Sequence, residues 1–379
     1  MMDRRAFAFK SREIFTEEDI FVTSEWRDIE EQWLRHNASH WTGRNFMYSH
    51  DGDIPAMIVS LDRLVHDIAS SRGDQFKVVA NNRGVSRVKP TELGRRIIES
   101  AKKFHPEMAR QSLPRHKFSP YFELWERYPD EVQELALIGA PSLGLASNVN
   151  RWVDAVRAQA LDSSFREHVL RQERAARKNW DSFRRYLEAL FHRYSRLLVV
   201  RVDLGYRNDP VDFGYNWIPP SDAEVKASLV QMVKFIRRKL PSLIGYAWKI
   251  EFGARKGHHC HLMLIFNGHV SREGITMGRL AGEQWETITG GWGSYWNCNA
   301  NMEDYIRRGL LGIGLINYYD KELRTGLMRT AKYLAKVDYY AKYVSQEIAR
   351  TFGKGVIKGD PSTRGRPREY VESSYVESS

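Results

Sequence analysis

Cysteine is nearly absent. Cys260 and Cys298 are the only two in 379 residues. Two thiols build no disulfide framework, so stability has to come from an apolar core, and a reducing compartment fits. No apolar run reaches the length of a membrane span, and the opening MMDRRAFAFK lacks the hydrophobic segment of a secretion signal. These absences predict a soluble, cytoplasmic protein with no membrane partner. Acid is also in deficit: 47 Asp and Glu stand against 58 Lys and Arg, a formal net charge of +11. The first 150 residues hold no catalytic constellation. What the chain does have is apolar content, 42% of all residues, enough for a sizeable core.

The positive charge is local. Arg171 to Arg201 and Lys321 to Lys358 each carry nine Lys or Arg against three Asp or Glu, so the rest of the chain is close to neutral. A polyanion-binding surface requires such concentration. The apolar spacing predicts helices over 54–69, 91–104 and 129–138, with a short one near Glu25–His36. Residues 105–150, with five prolines, read as a loop-rich connector, and 151–195 as one long basic helix. LLVVRVDL, from Leu197 to Leu204, reads as a strand whose alternation puts Arg201 and Asp203 on one face. Ser221 or Asp222 caps a helix that Pro241 stops. Further expectations are a helix over 280–287 followed by a loop, a last strand within 310–318, and a helix over 326–350. The tail from Gly359 lacks Leu, Ile and Phe, repeats YVESS, and reads as disordered.

The chain is organised around Tyr246 to Phe266, YAWKIEFGARKGHHCHLMLIF. Two apolar-rich runs flank a glycine-bracketed loop, which predicts a β-hairpin. A three-residue loop at 254–256 pairs Phe252 with His258 and Glu251 with His259. One face is then apolar apart from His258. The other, placed away from the core, carries Lys249, Glu251, His259, His261 and Met263. Glu251 sits across from His259, with His261 its diagonal neighbour. Two imidazoles and a carboxylate make a three-ligand site for a divalent cation, with positions left for water or a substrate oxygen. Such ligands suit Mg²⁺ or Mn²⁺ and also accept Zn²⁺. A strand, a helix and a hairpin in this order form the first half of a ferredoxin-like β-α-β-β-α-β unit.

A tyrosine beside such a metal on a basic surface suits phosphodiester cleavage. Tyr333 and Lys336 lie three apart on one helix face, and a lysine favours the phenolate. Tyr339 and Lys342 repeat that spacing, and Tyr339 with Tyr343 forms a Tyr-x-x-x-Tyr pair. Arg201, Lys249, Arg255, Lys256, Arg329, Lys332 and Lys342 are the candidate nucleic-acid contacts.

His259-Cys260-His261 resembles the His-hydrophobic-His motif of the HUH endonucleases, and Tyr333-Leu334-Ala335-Lys336 resembles the Tyr-x-x-Lys motif of their single-tyrosine replication initiators. LLVVRVDLGY, the hairpin, and AKYLAKVD followed by Thr351-Phe352-Gly353 are similar, more closely, to inovirus gene-II-type replication proteins with a YagK/YfjJ C-terminal domain. The resemblance covers about residues 195–355. It implies an α+β fold, an HUH/ferredoxin-like antiparallel sheet with flanking helices behind a mostly helical N-terminal region. It also implies Glu251, His259 and His261 as ligands of Mg²⁺ or Mn²⁺, Tyr333 as nucleophile and Lys336 as its helper. The expected activity is site-specific nicking and rejoining of single-stranded or supercoiled origin DNA through a phosphotyrosine, starting rolling-circle replication of a phage or mobile element. Relaxase or transposase activity is an alternative, as are a DNA-binding regulator with a degenerate site and a structural zinc protein. The organisation expected for the whole chain is 1–150 as a helical accessory region or one that docks DNA or a host helicase, 151–195 as a basic linking helix, 196–358 as the nicking domain, and 359–379 as the tail.

Overall fold

The computed structural model describes residues 39–41, 46–48, 53–80, 86–138, 141–207, 218–240, 242–253, 257–307, 311–336 and 339–357. The expected helix near Glu25–His36 and the tail lie outside them.

The first half runs β1 (Ser39–Trp41), β2 (Phe46–Tyr48), α1 (Asp53–Ser70), β3 (Phe76–Ala80), β4 (Ser86–Pro90), α2 (Glu92–Lys103), α3 (Pro106–Ser112), β5 (His116–Phe118), α4 (Pro120–Trp125), α5 (Asp130–Ile138), α6 (Leu143–Leu161) and α7 (Ser163–Arg193). The second half runs β6 (Arg196–Tyr206), α8 (Asp222–Lys239), β7 (Leu243–Gly253), β8 (Gly257–Asn267), α9 (Gly274–Ile288), β9 (Gly293–Asn297), α10 (Met302–Arg307), β10 (Gly314–Asn317), α11 (Lys321–Lys336), β11 (Ala341–Tyr343) and β12 (Phe352–Lys354). The fold is α+β: an antiparallel sheet with flanking helices behind a mostly helical N-terminal region.

Several expectations need correction. The region 105–150 is a set of short capped helices, not a loop-rich connector. Ser119 and Ser142 each accept an N–H of the first turn that follows, at Phe122 and Leu145. The segment 151–195 is not one helix. Asp162 is extended and its side chain accepts from the N–H groups of Ser164 and Phe165, so it ends α6 and caps α7. The loop expected before Cys298 contains β9. The last helix ends at Lys336 rather than Arg350, because Ala341–Tyr343 is drawn into strand pairing with His116–Phe118. There tertiary pairing overrides helical spacing.

The main sheet has the order β10-β6-β8-β7-β12, with β9 pairing the half of β6 that β10 leaves open. β8 lies between β6 and β7, and α8 makes the crossover, so β6-α8-β7-β8-α9-β9 is a split β-α-β-β-α-β unit. Ser221 and Glu224 form a reciprocal capping box that starts the crossover helix.

Both faces of the sheet are covered. Val200, Val202, Leu204, Ile250, Leu262 and Leu264 share a core with Leu229 and Met232 of α8 and Trp285 of α9. On the opposite face, Leu197, Val199, Ala247, Met263 and Ile265 share a core with Phe183 and Leu187 of α7, Leu327 and Leu334 of α11, and Met57, Trp125 and Val153 of the first half. The histidine-bearing face is therefore roofed by helices, and the expectation that it points away from the core is wrong. Among the described residues, no helix is long and apolar enough to cross a membrane.

The seating of α11 depends on Gly326. A Cβ there would run into the backbone of Leu311. Alanine is the better helix former by about 1 kcal/mol, yet Gly326→Ala should destabilise the protein by about 1–3 kcal/mol through overpacking. Chemical denaturation checks the sign. A stabilised variant would mean that the contact yields easily.

Candidate metal centre

The hairpin register is the one expected from the sequence: Glu251 pairs with His259, Phe252 with His258, and Gly253 with Gly257. β6 then sets Asp203 against His261. These strands bring Glu251, His259 and His261 together so that one ligand atom from each lies within 4.8 Å of the others. His259 Nε2 is 3.4 Å and His261 Nε2 is 3.5 Å from the same Glu251 Oε2.

The outer nitrogens fix the rings. His259 Nδ1 is 3.2 Å from the Gly257 carbonyl, and His261 Nδ1 is 2.6 Å from Asp203 Oδ1. Each Nδ1–H donates outward, which leaves both Nε2 atoms turned toward Glu251. The Arg201 guanidinium holds Asp203 from behind, with Nε donating to Oδ1 at 3.3 Å. Burial alone would raise the Glu251 carboxyl, but the two imidazoles beside it, His261 first, hold it well below the usual carboxylate range. Burial would lower His261, but Asp203 and Glu251 outweigh it and hold the imidazole above its ordinary value.

Tyr333 completes the cluster. It has no exposed surface, its ring lies 5.8 Å from that of His261, and its hydroxyl donates to Glu251 Oε2 at 3.1 Å. Burial, then the Glu251 charge, push the phenol well above its usual value. Glu251 Oε1 is buried without a hydrogen bond in this arrangement. Two imidazoles with fixed tautomers beside an ionised carboxylate with a spare oxygen fit a divalent cation. These residues could bind one, and the donor set alone does not select which.

The other expected residues divide. Arg201 and Lys249, at 3% and 1% exposed, are buried beside the cluster and do not form an open DNA-binding surface. Their strand alternation is right, but the helical roof converts a solvated face into an interior. Arg329 and Lys342 are exposed and Lys332 is half-buried. Arg255, Lys256 and the side chain of Lys336 lie outside the described residues. The rival tyrosines belong to other clusters. Tyr339 is buried beside Asp62 and Glu173, which with burial push its phenol well up. Tyr343 donates to Asp222 at 2.6 Å and meets His258, on the far side of the hairpin. The sequence reading missed the orienting role of Asp203, although the β6 alternation had already placed it on the correct face. It also missed the cluster of Arg115, Asp222, His258 and Tyr343, in which Arg115 binds both Asp222 oxygens at 3.0 and 2.9 Å. Residue 115 is too distant in sequence for any local signal to show that.

The YagK/YfjJ C-terminal domain description matches residues 162–355, just over half of the chain. The chain belongs to the YagK/YfjJ C-terminal domain family. The family domain begins where Asp162 starts α7, so it takes in the whole of that helix as well as the sheet and α11. Comparison with curated proteins and with solved structures gives no match.

Two outcomes follow from this geometry. Stripped of metal, the protein should melt at a higher temperature when Mn²⁺ is added, by the equivalent of about 2.7 kcal/mol at a hundredfold excess over Kd. Glu251→Gln should abolish the gain, and Asp203→Asn should weaken affinity about 10–100-fold. A melting temperature indifferent to every divalent ion would remove the site. The second outcome concerns Asp62, which burial pushes up to about 7 from 3.8 against an opposing hydrogen bond from Ser119. The unfolded carboxyl loses its proton first, so unfolding releases a proton between these values and stability falls as pH rises through that window. Asp62→Asn should therefore stabilise on the order of 4 kcal/mol above pH 7 and little near pH 4. Equal effects at both pH values would contradict it.

Proposed function

We propose that the protein is a divalent-metal-dependent DNA nicking and strand-joining enzyme of HUH type, with Tyr333 as its nucleophile. One observation carries this reading: a tyrosine hydroxyl hydrogen-bonded at 3.1 Å to the carboxylate of a Glu-His-His group able to hold a metal. The Tyr-x-x-Lys setting and the order strand, hairpin, tyrosine helix support it.

In the reaction, Tyr333 Oη forms a bond to the scissile phosphorus, and the phosphorus–oxygen bond to the adjoining sugar breaks. One strand end is left bonded to the protein and the other carries a free hydroxyl. Phosphodiester number is conserved, so the reverse attack rejoins the strand. The phenol proton is released to solvent, and Lys336 favours the phenolate that attacks. Glu251, His259 and His261 would hold Mg²⁺ or Mn²⁺, which would supply charge neutralisation for the transferring phosphate. His259 and His261 act as neutral ligands whose Nε2 atoms are presented by Gly257 and Asp203. The expected setting is replication initiation on a phage or mobile element. Relaxases and transposases share the chemistry and differ in the DNA site.

A second reading has an observation in its favour. Tyr333 is fully buried and its phenol is held well above its usual pKa, which suits a DNA-binding regulator whose site no longer turns over.

The deciding experiment incubates origin-bearing supercoiled or single-stranded DNA with Mn²⁺ and looks for protein covalently attached to a nicked strand. Wild type and Tyr339→Phe should form the adduct, and Tyr333→Phe should lose it by at least about a thousandfold. Adduct formation by Tyr333→Phe would move the nucleophile. DNA binding without an adduct under any metal would select the regulator.

A further inference from the structure

The proposed reaction leaves the β3–β4 ribbon without a role. From Gln75 to Pro90 the sequence has four basic residues and no acidic one. The ribbon is a two-stranded sheet of its own, and among the described residues neither outer edge is paired to another strand. Its alternation puts Lys77, Val79, Arg87 and Lys89 on one face. All four are exposed. Lys77 stands directly opposite Lys89, and Arg87 opposite Val79. Like charges paired across strands are unfavourable, and among the described residues no acid relieves them. On the other face, Val78 is 58% exposed. This combination of opposed cations, open edges and exposed valines is costly to the free protein and has no counterpart among the described residues.

The base of the ribbon is rigid. Asn150 Oδ1 of α6 accepts the N–H groups of Gln75 and Phe76, each at 3.0 Å, and its Nδ2 donates to the Phe76 carbonyl at 2.9 Å. Phe76 is buried in the N-terminal core. A lone two-stranded hairpin is marginal in water, and this clamp holds it as a fixed projection. A two-stranded ribbon is one of two protein elements that fit the major groove of B-form DNA. The major groove of A-form RNA is too deep and narrow to take it.

We propose that the β3–β4 ribbon is a duplex-DNA contact, with Lys77, Arg87 and Lys89 meeting backbone phosphates along a groove. The site is distinct from the candidate metal centre. It extends the nicking reading by giving the enzyme a hold on unmelted DNA, and its binding is measured without any chemistry.

The test uses the full chain and a fluorescein-labelled, random-sequence DNA duplex, with anisotropy read over a range of salt. Lys77→Gln/Arg87→Gln/Lys89→Gln should weaken binding about tenfold or more and lower the slope of log affinity against log salt by about three, close to one per lost phosphate contact. Lys77→Arg/Lys89→Arg should bind as wild type. Anisotropy is read without a divalent ion, so a failure of the nicking chemistry leaves this result readable. If the triple variant does not give a wild-type melt, Arg87→Gln alone should lower the slope by about one. Unchanged affinity and slope in the glutamine variants would overturn the proposal. So would double-stranded RNA binding as tightly as DNA and losing the same amount in the triple variant, which would assign the ribbon to RNA.

Discussion

The register of β7 against β8 is the constraint on which the site depends. Side chains alternate with a period of two, so a slip of one residue would turn Glu251 to the opposite face from His259 and His261 and dissolve the cluster. Register is fixed at both ends of the hairpin. At the turn, Gly257 takes a left-handed φ of 60°, which favours glycine. At the far end a bulge falls between Leu243 and Gly245, where a Cβ on Gly245 would strike Tyr186 and Leu190 of α7. The pairing of β6 with β8 then places Asp203 on His261, so one register choice determines both the ligands and the group that orients one of them.

The hairpin was legible for a physical reason. Its apolar and polar residues alternate cleanly, its loop is bracketed by glycines, and strand pairing is local when a short turn joins the strands. The capping of α8 by Ser221 was legible on similar grounds, since capping acts within one turn. The environment of the hairpin was not legible. Lys249, Glu251, His259 and His261 form a polar stripe that by composition alone belongs in solvent, yet α7 and α11 cover it. That covering is set by contacts between residues far apart in sequence. The end of α11 was misread because Tyr339, Tyr340 and Tyr343 keep helical spacing, while strand pairing with His116–Phe118 and aromatic packing determine their conformation.

Burying a polar cluster is costly unless each charge finds a partner. Here the partners form a chain. Arg201 holds Asp203, Asp203 holds His261, and His261 with His259 faces Glu251. The chain ends on Tyr333, whose hydroxyl fills one of the lone pairs of Glu251. The same linkage that makes the cluster tolerable in the interior leaves Glu251 Oε1 open to a further ligand. A buried carboxylate with a spare oxygen beside two imidazoles could hold a divalent cation.

Tyr333 and a cation draw on the same carboxylate. While the phenol donates to Glu251 it stays protonated, because burial and the adjacent negative charge both oppose its ionisation. Charge withdrawn from Glu251 by a ligand would reverse the second of these effects and weaken the hydrogen bond that holds the ring inward. On the proposed reading, the arrangement described here is therefore the resting form of the nucleophile, with its activation tied to occupancy of the ligands beside it. The close seating of Gly326 on Leu311 sets where α11 sits, and Tyr333 lies about two turns further along that helix. Any opening that admits a phosphate must then move α11 against a contact with no slack. The covered face and the burial of Tyr333 are two consequences of how this one helix is packed.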